Sequence, residues 1–479
     1  MNPIVMAATD PVKILEICRV TPSDAPESAT ELSLPLTHFD IFWLKQHPTE
    51  RIFFYELTDS THTFFHSVIV AKLKASLSLT LLHFLPLAGN ILWLPHAAMP
   101  AICYYPNDDV LVTVAESNAD FTLVSGNQMR EVMESKLYIP ELPVSDSTAA
   151  TIAFQITLFP NQGFSIGISS HHAIFDGKSV IMFMKAWAYI CKQSETETNP
   201  SLLPELIPVL DRSLIQDPEG LSMIYLNNWL EAKLPGLNTI NPKSLKLFQG
   251  KGVPPNSVRS TFELSREDIQ KLRRKVIYQL EGLHEEDSNQ IKSAHFSTFV
   301  LSFAYTLVCI VKARMAERNR KIVFVFVADC RARLDPPIPA NYFGNCVKGI
   351  RIFTEAETLL GDDGVAFAAE KLSERIKGLE KGVISEREKE RLAIYLEVMG
   401  AGGTAIGIGV AGSPRFEVYG TDFGWGKPKK VEITSIDRGE SISLTESKDG
   451  SGGVEVGLVL KKHEMERFDS VFVNGLRNL

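Results

Sequence analysis

At 479 residues the chain exceeds what one hydrophobic core usually serves, about 250 to 300 residues, so two domains are expected. Apolar residues make up 45% and charged residues 22%, enough to bury large cores. A net charge of -8 without a dense Lys/Arg tract argues against nucleic acid as a partner.

In chain order, Val12 to Ile17 reads as a strand ahead of a Pro/Ser/Glu-rich loop from Thr21 to Leu32. Leu34 to Asp40 opens a short element running through Leu44, in which His38 is expected to be structural. A strand at Ile52 to Tyr55 follows, then an amphipathic helix from Phe64 to Phe84, halted at Leu85-Pro86-Leu87-Ala88-Gly89-Asn90. Short strands at Ile102 to Tyr105, Leu111 to Ala115 and Thr151 to Phe159 lead to the stretch that organises the chain.

That stretch runs from Gly163 to Ile190, GFSIGISSHHAIFDGKSVIMFMKAWAYI. Phe164, Ile166 and Ile168 alternate with Ser165, Gly167 and Ser169, the period of a strand with one apolar face. Polar residues then take over at Ser170-His171-His172, and Ile181, Met184, Ala188 and Tyr189 return at helical spacing. Histidine exchanges a proton near neutrality, with an ordinary pKa of about 6.5, so a neutral His172 could deprotonate a hydroxyl or an amine. Adjacent strand residues point to opposite faces, so one of the two imidazoles is expected to be the base, and the spacing to Asp176 favours His172. The pair could equally be core histidines or metal ligands. Asp176 has two compatible readings. It could hold the imidazole or brace the turn by pairing with a distant arginine, or it could cap the helix that follows.

From Lys192 to Asp217 the chain is rich in Ser, Thr, Glu and Pro and reads as a linker, which divides the chain at about 1–210 and 211–479. The second part opens with a strand at Ser257 to Leu264 and a helix capped near Ser265, then a surface loop from Glu281 to Gln290. A long apolar helix from about Ser293 or Ser297 to Met315 offers its N-terminus to phosphate. Ile322 to Val327 is an apolar strand, and Arg331 or Arg333 beyond it is a candidate mate for Asp176. Charges at i and i+4 make Asp363 to Met399 a solvated helical region. Gly407-Ile408-Gly409-Val410-Ala411-Gly412 fits a dinucleotide fingerprint, but Pro414 and a strand-like Phe416 to Tyr419 follow it where a helix would be needed. A strand from Val454 to Leu460 and a helix from Lys461 to Leu476 close the chain.

The six cysteines, Cys18, Cys103, Cys191, Cys309, Cys330 and Cys346, lie far apart with no CxxC pair and read as reduced thiols. No N-terminal stretch combines a charged start, an apolar run and a small-residue cleavage site, and no apolar run approaches about 18 residues without a polar break. Asn199-Pro200-Ser201 is blocked as a glycosylation site by its proline. A cytoplasmic protein without a membrane partner is expected, and nothing such as a heptad run asks for a second copy.

His171-His172-Ala173-Ile174-Phe175-Asp176-Gly177 resembles the HxxxD(G) motif of the BAHD acyl-CoA-dependent acyltransferases of plants. Asp422-Phe423-Gly424-Trp425-Gly426 matches that family's DFGWG motif. Tyr342-Phe343-Gly344-Asn345-Cys346 is similar to the YFGNC motif of the branch acting on anthocyanin and other phenolic glycosides. The three stand in the family's order, about 170 and 80 residues apart, and the likeness spans almost the whole chain.

The resemblance implies an α/β (α+β) fold of two similar-sized, chloramphenicol-acetyltransferase-like domains with a central channel between them. It also implies transfer of an acyl group from acyl-CoA, a co-substrate and no permanent cofactor, to a hydroxyl of a phenolic or flavonoid glycoside. Malonyl-CoA is the favoured donor. His172 would be the general base and Asp176 an orienting residue, while Asp422 is expected to be a turn aspartate before an acid or base. Ser297 and Thr298, with Arg259, are candidates for the CoA phosphate or pantetheine, against plain helix capping and a solvated strand end. Lys178 is a candidate for the malonyl carboxylate, against an exposed first-turn lysine. No metal is expected. The alternatives are a hydroxycinnamoyl-CoA-dependent O- or N-acyltransferase with another acceptor, a metal-dependent hydrolase using His171, His172 and Asp176, or a non-catalytic binding protein on the same fold.

Overall fold

The computed structural model describes residues 11–23, 31–58, 60–194, 200–234, 241–248, 252–283, 296–379, 382, 386–400, 405–438 and 441–479. The middle of the expected linker, 195–199, and the loop after residue 283 lie outside these described residues. Two large sheets carry the fold. One has six strands, in the order Val12–Val20, Val110–Ser117, Ile152–Phe159, Gly163–Ser170, Thr49–Glu56 and Lys430–Ile433. The other has seven, in the order Val347–Glu355, Lys321–Asp329, Ala405–Ala411, Ser441–Glu446, Val454–Lys461, Ser257–Leu264 and Arg130–Glu131. A third sheet of four short strands packs beside the first, and helices cover the remaining faces. This is the mixed α/β architecture expected from the motifs.

Each sheet borrows a strand across the middle of the chain. Lys430–Ile433 pairs antiparallel with the far edge of Thr49–Glu56, and Arg130 and Glu131 pair with Val258 and Arg259. The seam between the sheets is charged and buried. Arg130 donates to Glu432, Arg259 pairs with Asp437 and donates to the Ile433 carbonyl at 2.9 Å, and the Lys430 ammonium lies 2.8 Å from Glu455. Such networks roughly repay their own desolvation, so their gain is a unique geometry more than net stability.

Gly163–Ser170 departs from the one-faced strand that its alternation suggests, since all eight residues are buried. It is a central strand, paired with Ile152–Phe159 on one side and Thr49–Glu56 on the other, so Ser165 and Ser169 are sealed in with the isoleucines. The helix expected from Phe64 to Phe84 forms as one run of turns, with a π-helical stretch at Phe65–Val70 ahead of Ala71–His83. By length and composition His62–His83 is apolar enough to cross a membrane. Phe65, Ile69, Leu73, Leu77 and Leu81 nonetheless sit in the core, each at most 1% exposed. Trp187, on the helix Gly177–Gln193, locks the two helices by donating its indole N–H to Leu73 at 3.2 Å and to Ser76 at 3.0 Å. Phe416 to Tyr419 is not a strand: it turns into a 3-10 helix at Val418–Gly420.

Candidate active site

The central strand ends at Ser170, the His171 N–H donates to the Thr151 carbonyl at 2.9 Å, and a turn closes as the Ile174 N–H returns to His171 at 3.0 Å. The turn sends the two imidazoles apart. His171 is fully buried, its Nδ1 accepting from the Ala173 N–H at 3.2 Å. His172 lines a cleft of about 2600 Å³ whose walls come from both halves of the chain. Small-ligand pockets are typically a few hundred to about 1000 Å³, so this cleft has room for two substrates at once.

The His172 ring stacks face to face on Trp43, with centroids 4.1 Å apart and planes 1° apart. Its backbone is pinned from the second half of the chain, since the Asn345 side-chain amide donates to the His172 carbonyl at 3.0 Å. Asn345 is itself fixed on Asp40, to which its backbone N–H donates at 3.2 Å and its amide at 3.1 Å. Burial pushes His172 down to about 4 and His171 down to about 3, so both rings are neutral at pH 7. A neutral imidazole on a substrate-sized cleft can accept a proton.

Asp176 does not hydrogen-bond the imidazole, whose Nδ1 is buried without a partner. Its first oxygen caps the helix Gly177–Gln193 by accepting from the Ser179 N–H at 3.0 Å. Its second oxygen lies 2.9 Å from an Arg331 nitrogen and accepts from the Cys346 N–H at 3.1 Å. The brace and the cap are therefore both present, and the tautomer-holding role is not. Of the two arginines named, Arg331 is the mate, while Arg333 donates to the Asp329 carbonyl. Burial disfavours the Arg331 charge, but Asp176 and then Asp329 outweigh it and hold the guanidinium above its usual range. Arg331 also ties the helix start to the Tyr342-to-Cys346 segment, donating to the Tyr342 carbonyl at 3.0 Å and the Gly344 carbonyl at 3.1 Å. Gly344 is obligatory there, because a Cβ would stand 1.7 Å from the Arg212 guanidinium. Of the two aromatics in this segment, Tyr342 reaches the cleft, whereas Phe343 is packed in the core against Phe84 and Phe175.

Asp422 organises a turn. One oxygen accepts from the Gly424 and Gly426 N–H groups, each at 2.9 Å, and the other lies 2.7 Å from the Lys192 ammonium. Partial burial opposes ionisation, but Lys192 and the two N–H groups hold the carboxyl below its usual range. The turn drives Phe423 into the core edge-on to Trp187 at 5.0 Å, while Asp422 itself lines the cleft. Ser297 and Thr298 line the cleft at the start of the helix Thr298–Ala313, where the Ser297 hydroxyl caps Val300. Lys178 also lines it, but its ammonium is already 3.2 Å from Asp329. Arg259 must be reassigned: it is 1% exposed, locked on Asp437, and does not line the cleft, so it is a seam residue and no phosphate partner. His38 is buried against Phe39 and does not line the cleft. Among the described residues no group of three potential metal ligands converges.

Two features of the site escaped the sequence reading: the stacking of Trp43 and the anchoring role of Asn345; Arg51, which lines the cleft beside His172, was not singled out either. Trp43 and Asn345 act through contacts to His172 more than 100 residues away in the chain, and no local spacing encodes that.

The Transferase family model matches residues 11–474. Over 472 residues the chain is 45% identical to phenolic glucoside malonyltransferase 1 of Arabidopsis thaliana, covering 98% of each. It is 44% identical to malonyl-CoA:anthocyanidin 5-O-glucoside-6''-O-malonyltransferase of the same plant, covering 97% of this chain and 98% of that one. Among solved structures, vinorine synthase shares the fold with a TM-score of 0.66 at 22% identity, over 95% of this chain and 96% of that one.

Proposed function

The chain belongs to the Transferase family, the BAHD acyltransferases, and we propose that it moves a malonyl group from malonyl-CoA to a sugar hydroxyl of a phenolic or anthocyanin glucoside. The observation that carries the reading is a neutral His172 standing on a two-substrate cleft, its ring braced by Trp43 and its carbonyl held by Asn345. The acceptor hydroxyl attacks the thioester carbonyl as His172 takes its proton. The tetrahedral intermediate then collapses, the carbon–sulfur bond breaks, and the imidazolium returns the proton to the departing CoA thiolate. No covalent enzyme intermediate is needed. Asp176 and Arg331 hold the histidine turn and are positioning residues.

The helix start at Ser297 and Thr298 supports a donor approach from that wall of the cleft, with backbone N–H groups and the positive helix end favouring a phosphate. The site is completed within one chain, which supports a monomer, with 1–210 and 211–479 as its two units. All six cysteines are free, four of them buried, which supports work in the reducing cytoplasm.

The test is thiol release from malonyl-CoA in the presence of a phenolic glucoside, with the malonylated product seen by mass. Removing the base, His172→Ala, should lower kcat/KM by about 10²-fold or more with the fold intact. Near-normal turnover by that variant would sink the assignment.

A further inference from the structure

Six arginines are buried among the described residues, and five of them face a carboxylate. Arg130 has Glu432, Arg212 has Asp40, Arg259 has Asp437, Arg331 has Asp176 and Arg391 has Glu388, none farther than 3.8 Å. Arg51 is the exception. It is 7% exposed, its Nη1 is sealed from solvent with no hydrogen-bond partner, and no carboxylate among the described residues lies within ion-pair distance of it. Burying an unpaired charge is expensive, and here burial alone, with no anion to oppose it, pulls the guanidinium down to about 10.

The location of Arg51 says what is missing. It sits on the strand Thr49–Glu56 opposite Ile168, beside the strand that ends in His171-His172, and its side chain lines the same cleft as His172. It also reaches the start of the helix Gly177–Gln193, where a Cβ on Gly177 would stand 3.3 Å from its Nη2 and 3.0 Å from the Phe416 ring. The guanidinium thus lies against the first residue of that helix. The Asp176 carboxylate at that helix start is committed to the Ser179 and Cys346 N–H groups and to Arg331, so it does not neutralise Arg51. Of the carboxylates that share the cleft wall, Asp176 is held by Arg331, Asp329 by Lys178 and Arg331, and Asp422 by Lys192.

We propose that Arg51 is the receptor for the free carboxylate of the acyl donor, fixing a malonyl group by a charge-assisted, forked hydrogen bond beside His172. This rests on the malonyl-transfer reading and deepens it. The guanidinium fork matches a carboxylate bidentately, a geometry the single point charge of an ammonium cannot reproduce. The other cation considered for this role, Lys178, is spent on Asp329. Arg51 would thus make the site selective for a dicarboxylic monothioester over an acyl group of the same length without the charge, since the uncharged donor leaves the guanidinium unpaired.

The test compares malonyl-CoA with acetyl-CoA, which lacks only the carboxylate, on wild type, Arg51→Gln and Arg51→Lys. Both kcat/KM with one glucoside acceptor and the Kd of each donor, measured by calorimetry without acceptor, are read. The expected result is that the malonyl-to-acetyl preference of wild type falls by about 10²-fold in Arg51→Gln, in Kd as well as in kcat/KM, with partial recovery in Arg51→Lys. Equal losses for both donors would make Arg51 a purely structural residue and overturn the proposal, as would an unchanged preference. A wild type that binds and uses acetyl-CoA as well as malonyl-CoA would overturn it too. A wild type that transfers neither group, while its Kd still favours malonyl-CoA through Arg51, would count against the transfer reading and leave the carboxylate receptor standing.

Discussion

A buried imidazole resists protonation because the charged ring loses its hydration, so the His171-His172 pair ties both rate and stability to pH. With His172 held down at about 4, the base form persists well below the ordinary histidine range. The acid limb of kcat/KM should therefore have its midpoint well below pH 6.5, and a limb centred near or above 6.5 would show that the rate-controlling base is another group. The stability sign follows from the same two depressed values. Between about 6.5 and about 4 the unfolded chain binds protons that the folded imidazoles refuse, so the two histidines take nothing from stability above pH 6.5 and cost more as pH falls toward 4. Urea midpoints that stayed flat from pH 7 to pH 5 would contradict the two depressed values. That only one of the two rings faces the cleft was legible in the sequence, but the cause differs: the strand ends at Ser170 and the turn after it parts the rings, while Asp176, whose spacing favoured His172, does not bond the imidazole. The stacking of Trp43 was not legible, since it joins residues that only the fold brings together.

Turns and helix starts are where the motifs earn their spacing. Asp176 one residue before Gly177–Gln193 is readable as a cap from sequence alone, and the structure adds the Arg331 brace that the sequence had narrowed to two arginines. In Asp422-Phe423-Gly424-Trp425-Gly426 the aspartate accepts from both glycines, whose φ angles of 107° and 96° suit a residue without Cβ. A turn role and a proton-transfer role separate cleanly in Asp422→Asn. The amide oxygen still accepts from Gly424 and Gly426, and the lost pair with exposed Lys192 is worth at most about 1 kcal/mol. That variant should keep its melting temperature within a few degrees and most of its kcat, whereas Asp422→Ala should lose the turn and about 1 to 3 kcal/mol of stability. If Asp422→Asn melted normally yet lost kcat by 10²-fold or more, Asp422 would be acting on protons after all.

At the scale of the molecule, strand and helix positions were legible wherever periodicity was strong, as in Ser257–Leu264 and Thr298–Ala313. The exchange of Arg130–Glu131 and Lys430–Ile433 between the sheets was not, because strand pairing over 100 residues or more leaves no local pattern. It makes the two halves mutually dependent: neither sheet keeps its edge if the other unfolds. Thermal unfolding should accordingly show a single cooperative transition by calorimetry and by circular dichroism. Glu432 is the sharpest probe of the seam, being 2% exposed between Arg130 and Arg259. Burial disfavours its charge, but the two arginines win and hold its carboxyl below the usual range, so its contribution is present at neutral pH and is lost as pH falls through that depressed value. Removing the charge in Glu432→Gln leaves Arg130 without its carboxylate and Arg259 with Asp437 alone, a loss of about 3 to 5 kcal/mol. The variant should melt several degrees lower and still in one step. Two resolved transitions, in wild type or variant, would mean that the exchanged strands do not couple the halves.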